Sequence, residues 1–300
     1  MVSFVVLNWH HEDATEVCVS SIRSLDGAAE IEIVVVDNES RPESRERLDT
    51  FDAVVVALES NRGFTGGMNA GVAATHGSLV ALINNDTVLP RDWLSTARRC
   101  LDDPKVGIVG GRDDETTVPL VDPRGSIYLS RAQVSRREVS SVDGAHMLIR
   151  RTAWDQVGGF DDDFFAYHED ADLCARVIAH GWKVIYEPDL WATHRRGSSS
   201  DRVPVRRVFW ARRNRFTWIA KNFPDERWRR ALLAAYLECL SRAYRGQSRA
   251  DRLGSLHGAA WLMTHIPFIL RKRRSSAQGA DRTRYFEVVV RAYALKEPDG

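Results

Sequence analysis

Residues 164–176 read Phe-Phe-Ala-Tyr-His-Glu-Asp-Ala-Asp-Leu-Cys-Ala-Arg and place an acidic pair, Glu169-Asp170, behind a cluster of aromatic rings. The pair stands where a helix begins, and the free backbone N–H groups there favour negative charge. A carboxylate held at the edge of an apolar pocket is what a general base requires. The same acids would equally serve an ordinary helix as cap and first-turn residues. A second candidate, Asp86, closes the run Leu82-Ile83-Asn84-Asn85-Asp86. A hard carboxylate oxygen at the exit of a buried strand suits Mg²⁺ or Mn²⁺, which keep waters and share phosphate oxygens with a substrate. Taken alone, an Asp starting a turn toward Pro90 is the commoner case.

His194 precedes the polar stretch 195–203, Arg-Arg-Gly-Ser-Ser-Ser-Asp-Arg-Val. A lone His is more often structural, yet this place suits a second metal ligand beside a connector that closes over substrate. Asp161-Asp162-Asp163 carries more charge but follows Gly158-Gly159-Phe160. It reads as a turn whose mutual repulsion solvent relieves. Asn61 and Arg62 precede Gly63-Phe64-Thr65-Gly66-Gly67-Met68-Asn69-Ala70-Gly71, where glycines permit close backbone approach to a ligand at a helix start. The run lacks the spacing and first-strand location of a dinucleotide GxGxxG, which weakens a nicotinamide oxidoreductase reading.

These residues need a scaffold, and the pattern supplies one. Apolar runs at 2–7, 31–36, 53–58 and 79–83 read as strands, with helical spacing at 13–25, 44–51 and 66–75. Continuous Val/Ile runs between helices predict a mostly parallel, Rossmann-like sheet with helices on both faces. Ligands bind such sheets beyond the strand C-termini. Asn8, Asp37, Asn61-Arg62 and Asn84-Asn85-Asp86 follow the four runs in turn. Further strands are expected at 145–149 and 183–186, a boundary or mobile loop at 195–203, and helices beyond Pro204. Residues 1–7 lack a basic flank and a cleavage site, and read as a buried strand, not a signal peptide. Cys18, Cys100, Cys174 and Cys239 are scattered, which fits a reduced, cytoplasmic setting.

Taken in order, Asn8-Trp9, Val36-Asp37-Asn38-Glu39-Ser40, residues 61–69, Leu82–Asp86, Gly158-Gly159-Phe160-Asp161 and residues 164–176 resemble the motifs of family 2 glycosyltransferases, the rhamnosyltransferase-like branch above all. The resemblance runs from about residue 2 to residue 200 and is specific as a set. It implies a GT-A fold over 1–203, with a nucleotide-sugar half (about 1–110) and an acceptor half (about 111–203), and inverting chemistry. Asp37 and Arg62 match the residues that read the nucleotide base, with Asn8 beside them, and Asn61, Gly67 and Asn69 belong to the same donor-binding group. Asn84 or Asn85 takes the ribose-facing place. Asp86 matches the metal-binding last acid of the DxD-type motif, and His194 the histidine that completes the metal site. Asp170 stands where the family has its general base. Tyr167, His168, Glu169 and Trp182 are the expected acceptor-side residues, with Phe164 and Phe165 as further sugar-stacking candidates. Asn84-Asn85 in place of acids leaves the cation one strong strand-end carboxylate. The implied donor is dTDP-L-rhamnose, with UDP-sugars next, and the implied acceptor a glycan or polyprenyl-linked glycan of envelope polysaccharide assembly. A nucleotide-sugar binding protein without turnover is the competing class.

The net charge of +1 conceals an asymmetry. Residues 1–194 hold 18 basic and 32 acidic residues, a balance of −14, and 195–300 hold 24 and 9, a balance of +15. Such a basic C-terminal third points to a phosphate-rich partner or an anionic membrane surface. Residues 205–223 and 259–270 are apolar on one helical face, and the second runs into Arg271-Lys272-Arg273-Arg274. Twelve residues are too few to span a bilayer, so 259–270 reads as an interfacial helix at the inner face of the membrane. Packing on the catalytic domain is the alternative. No nucleic-acid recognition motif is present.

Overall fold

Near-continuous runs of Val, Ile and Leu build strands buried on both faces, and the amphipathic segments between them build the helices that cover those faces. The computed structural model describes residues 1–27, 31–113, 117–131, 135–194, 204–276 and 280–294. The first half runs β1 (Val2–Asn8), α1 (Glu12–Arg23), β2 (Ile31–Asn38), α2 (Pro42–Leu48), β3 (Val54–Leu58), α3 (Gly63–Ala73), β4 (Leu79–Asn84), β5 (Thr87–Val88) and α4 (Trp93–Cys100). Next come β6 (Val106–Asp113), β7 (Thr117–Val121), β8 (Ile127–Arg131), β9 (Arg137–Glu138), β10 (His146–Arg150), α5 (Arg151–Val157), α6 (Glu169–Ala179) and β11 (Lys183–His194). Helices α7 (Pro204–Asn222), α8 (Trp228–Arg245), α9 (Arg249–Thr264), α10 (Ile266–Ser275) and α11 (Arg282–Ala294) follow.

The main sheet has the order β3-β2-β1-β4-β10-β6-β11-β5, with β9 beside β11. Strands β1 to β4 pair in parallel, as do β6 and β11, and β10 lies antiparallel between β4 and β6. The C-terminal ends of β1, β2, β3, β4, β6 and β11 therefore share one rim. One face buries Phe4, Val6, Ile33 and Ile83 against Cys18 and Ile22 of α1 and Trp93 of α4. The other buries Val5, Val34, Val36 and Leu82 against Met68 and Val72 of α3 and the apolar side of α6. Each such side chain contributes about 1.5–3 kcal/mol on burial.

Two expectations need correction. Residues 259–270 do not form one helix, because the chain breaks at His265 and α10 restarts with Pro267 in its first turn. Proline lacks the N–H that would continue α9 and disfavours a helical residue before it. The second concerns Asp161-Asp162-Asp163. Residues Asp162–Phe164 form a 3₁₀ turn capped by Asp161, and lysines, not solvent, relieve the repulsion. Lys221 and Lys272 reach Asp161 at 2.6 and 2.7 Å. The connector 195–203, and the closing role expected of it, lie outside the described residues.

Candidate active site

Strand register brings Asp86 and His194 together across more than a hundred residues. β5 follows Asp86 directly and pairs antiparallel with the end of β11, so that His194 opposes Thr87. His194 Nε2 lies 3.1 Å from Asp86 Oδ1, while Nδ1 faces Asp113 Oδ2 at 3.9 Å. Asp113 ends β6 and is buried. At that spacing the Asp113 carboxylate acts on the ring through its charge, the distance being longer than a hydrogen bond. Asn84 Nδ2 adds a contact of 3.4 Å to Nε2. Asn85 donates to Thr15 Oγ1 at 3.1 Å. A cavity of about 410 Å³ opens beside Asp86, lined among others by His11, Glu12 and Asn85.

A divalent cation fits the pair. Two neighbouring oxygen or nitrogen ligands at 2.0–2.1 Å from an octahedral ion stand about 3 Å apart, the spacing seen between Asp86 and His194. Among the described residues no three His, Cys, Asp or Glu side chains gather as a metal cage. Protein would thus fill few coordination positions, leaving the rest to substrate oxygens and water, which is how Mg²⁺ is usually held.

The ends of β1 and β2 form a second cluster. Asn8 is fully buried, donating to Asp37 Oδ1 and Glu12 Oε1 at 3.3 Å and accepting from Thr15 at 2.9 Å. Ser44 donates to Asp37 Oδ1 at 3.1 Å. Asp37 Oδ2 is buried and, among the described residues, has no partner. Asn38 ties this edge to the start of α3, accepting from Arg62 N at 2.8 Å and donating to Asn61 Oδ1 at 3.1 Å. Arg62 itself is half exposed, and its guanidinium reaches Asp162 at 3.3 Å.

Asp170 sits on the same rim from the acceptor half. Its Oδ2 accepts from Gly144 N at 3.3 Å and its Oδ1 from Ala171 N at 2.7 Å. Gly144 adjoins Ala145, whose carbonyl accepts from Asn84 N at 2.8 Å. One short backbone bridge thus joins the base candidate to the strand end that carries Asp86. Burial, reinforced by the nearby Asp143 carboxylate, raises Asp170 to about 7 against the pull of those two N–H groups. Burial and Asp170 together raise Glu169 well above the carboxylate range, and Glu169 Oε2 is buried with no partner among the described residues.

Several expected site residues are employed elsewhere. A Cβ on Gly67 would overlap Leu7 Cδ1, so this glycine serves helix-to-strand packing instead of ligand approach. Asn69 uses both ends of its carboxamide on the loop before the 3₁₀ turn, donating to Phe160 O at 2.9 Å and Asp162 at 2.6 Å and accepting from Phe160 N at 3.0 Å. Trp182 lies at the opposite edge of the sheet. It precedes Lys183, which pairs with Val106 at the start of β6, and its indole donates to Gln156 at 2.8 Å. The His168 ring packs on Trp218 of α7, and burial with Arg215 and Arg212 nearby lowers it to about 3. Phe164 is core, and Phe165 stacks near Trp210. Tyr167 stays half-buried, three residues before Asp170. Sequence reasoning did not single out Asp113, Asp143 or Asn38 as site residues. The strand-end rule that selects Asp86 also fits Asp113, at the end of β6.

The sequence profile described as Glycosyl transferase family 2 matches residues 3–172, and that described as Glycosyl transferase family 21 matches residues 124–291. The chain is 40% identical over 75 residues to the N-acetylglucosaminyl-diphospho-decaprenol L-rhamnosyltransferase of Mycobacterium tuberculosis, covering 25% of this chain and 24% of that protein. It is 30% identical over 156 residues to the pre-mycofactocin glycosyltransferase of the same organism, covering 48% of this chain and 32% of the relative. The matches thus span a quarter to a third of these relatives' length. Among solved structures, a mannosyltransferase from Pyrobaculum calidifontis in complex with GDP-Man and Mn2+ superposes with a TM-score of 0.58 at 18% identity, covering 99% of this chain and 88% of that one. Such a likeness speaks for the fold, which is GT-A.

Proposed function

This chain belongs to glycosyl transferase family 2, and we propose that it transfers a sugar, with inversion, from a nucleoside-diphosphate sugar to a hydroxyl of a glycan or polyprenyl-linked glycan acceptor. The observation that carries the reading is the shared rim: a carboxylate raised to about 7 on one side, and an Asp–His pair spaced for a cation on the other. Asp170 takes the proton of the acceptor hydroxyl as that oxygen bonds to the anomeric carbon and the bond to the departing phosphate breaks. A base near neutrality suits that transfer. Asp86 and His194 would hold Mg²⁺ or Mn²⁺, which when bound neutralises charge developing on the diphosphate.

Asn8, Asp37, Asn61 and Arg62 form the base-side wall of the donor site in this reading, and Asn84 and Asn85 the ribose side. The unpartnered Asp37 Oδ2 supports it, since a buried carboxylate oxygen at a strand end calls for a donor. Tyr167 and Glu169 flank the acceptor. The donor we favour is dTDP-L-rhamnose, ahead of UDP-sugars. That choice rests on the motif resemblance and on the rhamnosyltransferase named above.

The helical region, 204–300, is proposed to rest on an anionic membrane at its inner face, where a polyprenyl-linked acceptor resides. Met263, Ile266 and Leu270 are exposed next to Arg271 and Arg274, and Leu233, Leu237, Leu240 and Tyr244 form an exposed stripe on α8. Among the described residues no helix is long and apolar enough to cross a membrane. A panel of nucleotide sugars scored by thermal shift with Mn²⁺ or Mg²⁺ tests the central reading. Stabilisation by one donor, followed by transfer that Asp170→Asn abolishes, is expected. Stabilisation by nicotinamide dinucleotides alone would overturn it.

A further inference from the structure

The loop that delivers Asp170 has an unusual backbone. Phe165, Tyr167 and His168 have φ of +65°, +74° and +67°, where the Cβ of an L-residue is crowded; Phe165, with ψ of −60°, centres a γ-turn closed by Ala166 N donating to Phe164 O at 2.7 Å. Such strain persists only where surrounding contacts dictate it. Here α7 supplies most of them. Asn214 is 1% exposed, and its Nδ2 donates to the carbonyls of Phe164, Ala166 and Tyr167 at 2.8, 2.7 and 2.8 Å. Its Oδ1 accepts from Arg213 Nε at 2.9 Å, which orients the amide toward the loop. Arg213 Nη2 donates to the carbonyls of Asp163 and Phe164 at 2.7 and 3.0 Å. From the other side, the N–H groups of Phe64 and Thr65 donate to Phe165 O at 2.7 and 3.2 Å. All four carbonyls from Phe164 to Tyr167 thus have donors.

We propose that Asn214 is a positioning residue for Asp170, holding loop 164–167 so that α6 starts in the one direction that seats the carboxylate against Gly144. The role rests on the base assignment above, though its test does not. Asn is suited to the place: a neutral side chain with an acceptor, no charge to bury, and two hydrogens, one of them shared between two of the three carbonyls. The change Asn214→Asp would turn an acceptor on three carbonyl oxygens, and Asn214→Ala would take the side-chain donor from Ala166 O and Tyr167 O while Arg213 stays on Phe164 O.

The test uses the full chain labelled with carbon-13 at aspartate carboxyls, with the Asp170 resonance identified by its loss in Asp170→Asn. Asp143, Glu169 and Cys174 are the titratable groups that interact with it and stay unchanged in every variant. The wild-type midpoint is expected near 7. Asn214→Ala should lower it by about one unit or more as water reaches the carboxyl. Asn214→Ser, which keeps one donor and spares the fold most, should fall between. In the same variants transfer should drop about tenfold or more in kcat, with binding of UDP and Mn²⁺ held within about twofold, because only the base has moved. An unaltered midpoint in folded Asn214→Ala or Asn214→Ser overturns the proposal. A wild-type chain without transfer activity but with the expected midpoint shifts would sink the transferase reading and leave the clamp standing.

Discussion

Asp170→Asn should separate stability from activity, because the two respond to pH in opposite directions. The carboxyl is raised from 3.8 to about 7, chiefly by burial and then by Asp143. Between those values the folded chain keeps a proton that the unfolded chain has already released. Folding stability therefore falls as pH climbs through this window, and the loss is complete above about 7. Three units correspond to about 4 kcal/mol as an upper limit. Asn returns about 1 kcal/mol of that, since its oxygen can accept from Gly144 N or Ala171 N but its NH₂ opposes the other. The variant should then exceed the wild type by about 1–3 kcal/mol at pH 8, some 2–6 °C in Tm, and match it near pH 4.5.

Transfer should run the other way, rising in the wild type through pH 7 and dropping about 10²–10⁴-fold in Asp170→Asn above pH 7, with the gap closing as pH falls. Scanning calorimetry of both proteins across pH 4.5–8.5, beside a transfer assay over the same range, measures both halves. A stability difference that stays flat with pH would mean that this carboxyl is not forced to hold its proton, and the argument for a base tuned by burial would fail.

Asp86→Ala should weaken binding of a nucleoside diphosphate at least about tenfold in Mn²⁺ and little in EDTA, as read by calorimetric titration, because a ligand within 3.1 Å of His194 is lost. Gly67→Ala should cost about 1–3 kcal/mol in urea denaturation through its overlap with Leu7. Leu7→Ala should make that second change nearly harmless, and a fully additive double mutant would refute the packing role. Lys221→Met should cost about 3–5 kcal/mol, since fully buried Asp172 loses a cation at 2.9 Å, and Asp172→Asn should recover part of the loss. Reversing Arg271 and Arg274 to Glu together should abolish co-sedimentation with phosphatidylserine vesicles while leaving Tm within about 2 °C, both residues being exposed. Undiminished pelleting would remove this face from the membrane reading.

Local pattern made the sheet legible. Strands β1, β2 and β4 are largely apolar runs, and the polar residues that the strand-end rule selects, Asn8, Asp37 and Asn84, fall at their last or next-to-last positions. Pairing Asp86 with His194 as candidate ligands also needed only residue type and position. What stayed hidden depends on register and on which face an element turns inward. Trp182 looks like a sugar platform in the sequence, yet α6 carries the chain to the far edge of the sheet before Trp182 is reached. Gly67 and Asn69 sit in a glycine-rich run that suggests ligand approach, but Leu7 and the Phe160–Asp162 loop occupy those contacts. His194 faces Asp113 only because β11 runs twelve residues, past the stretch 183–186 that its sequence marks as a strand, to reach the rim.

Charge burial between α6 and α7 bears on where the catalytic unit ends. Asp172 is fully buried among Arg176, Lys221 and Asn222, and Asp161 takes both Lys221 and Lys272. Desolvation offsets most of the attraction in such pairs, so they add little net stability compared with an apolar contact. Their leverage is on misplacement, because a one-turn slip of α7 would bury Lys221 away from both acids and leave Asp172 to Arg176 and Asp161 to Lys272. Only one docking of α7 satisfies all of them. In that docking Asn214, seven residues and two helical turns before Lys221, lies on the same face and meets the loop ahead of Asp170. The family 2 match stops at residue 172, yet the shape of the loop before it is dictated by a helix that starts at Pro204. A boundary drawn at 203 separates motif from helix in the sequence. In three dimensions it would cut through the support of the proposed base, which argues that α7 belongs to the catalytic unit and that only the outer helices are free to serve a surface.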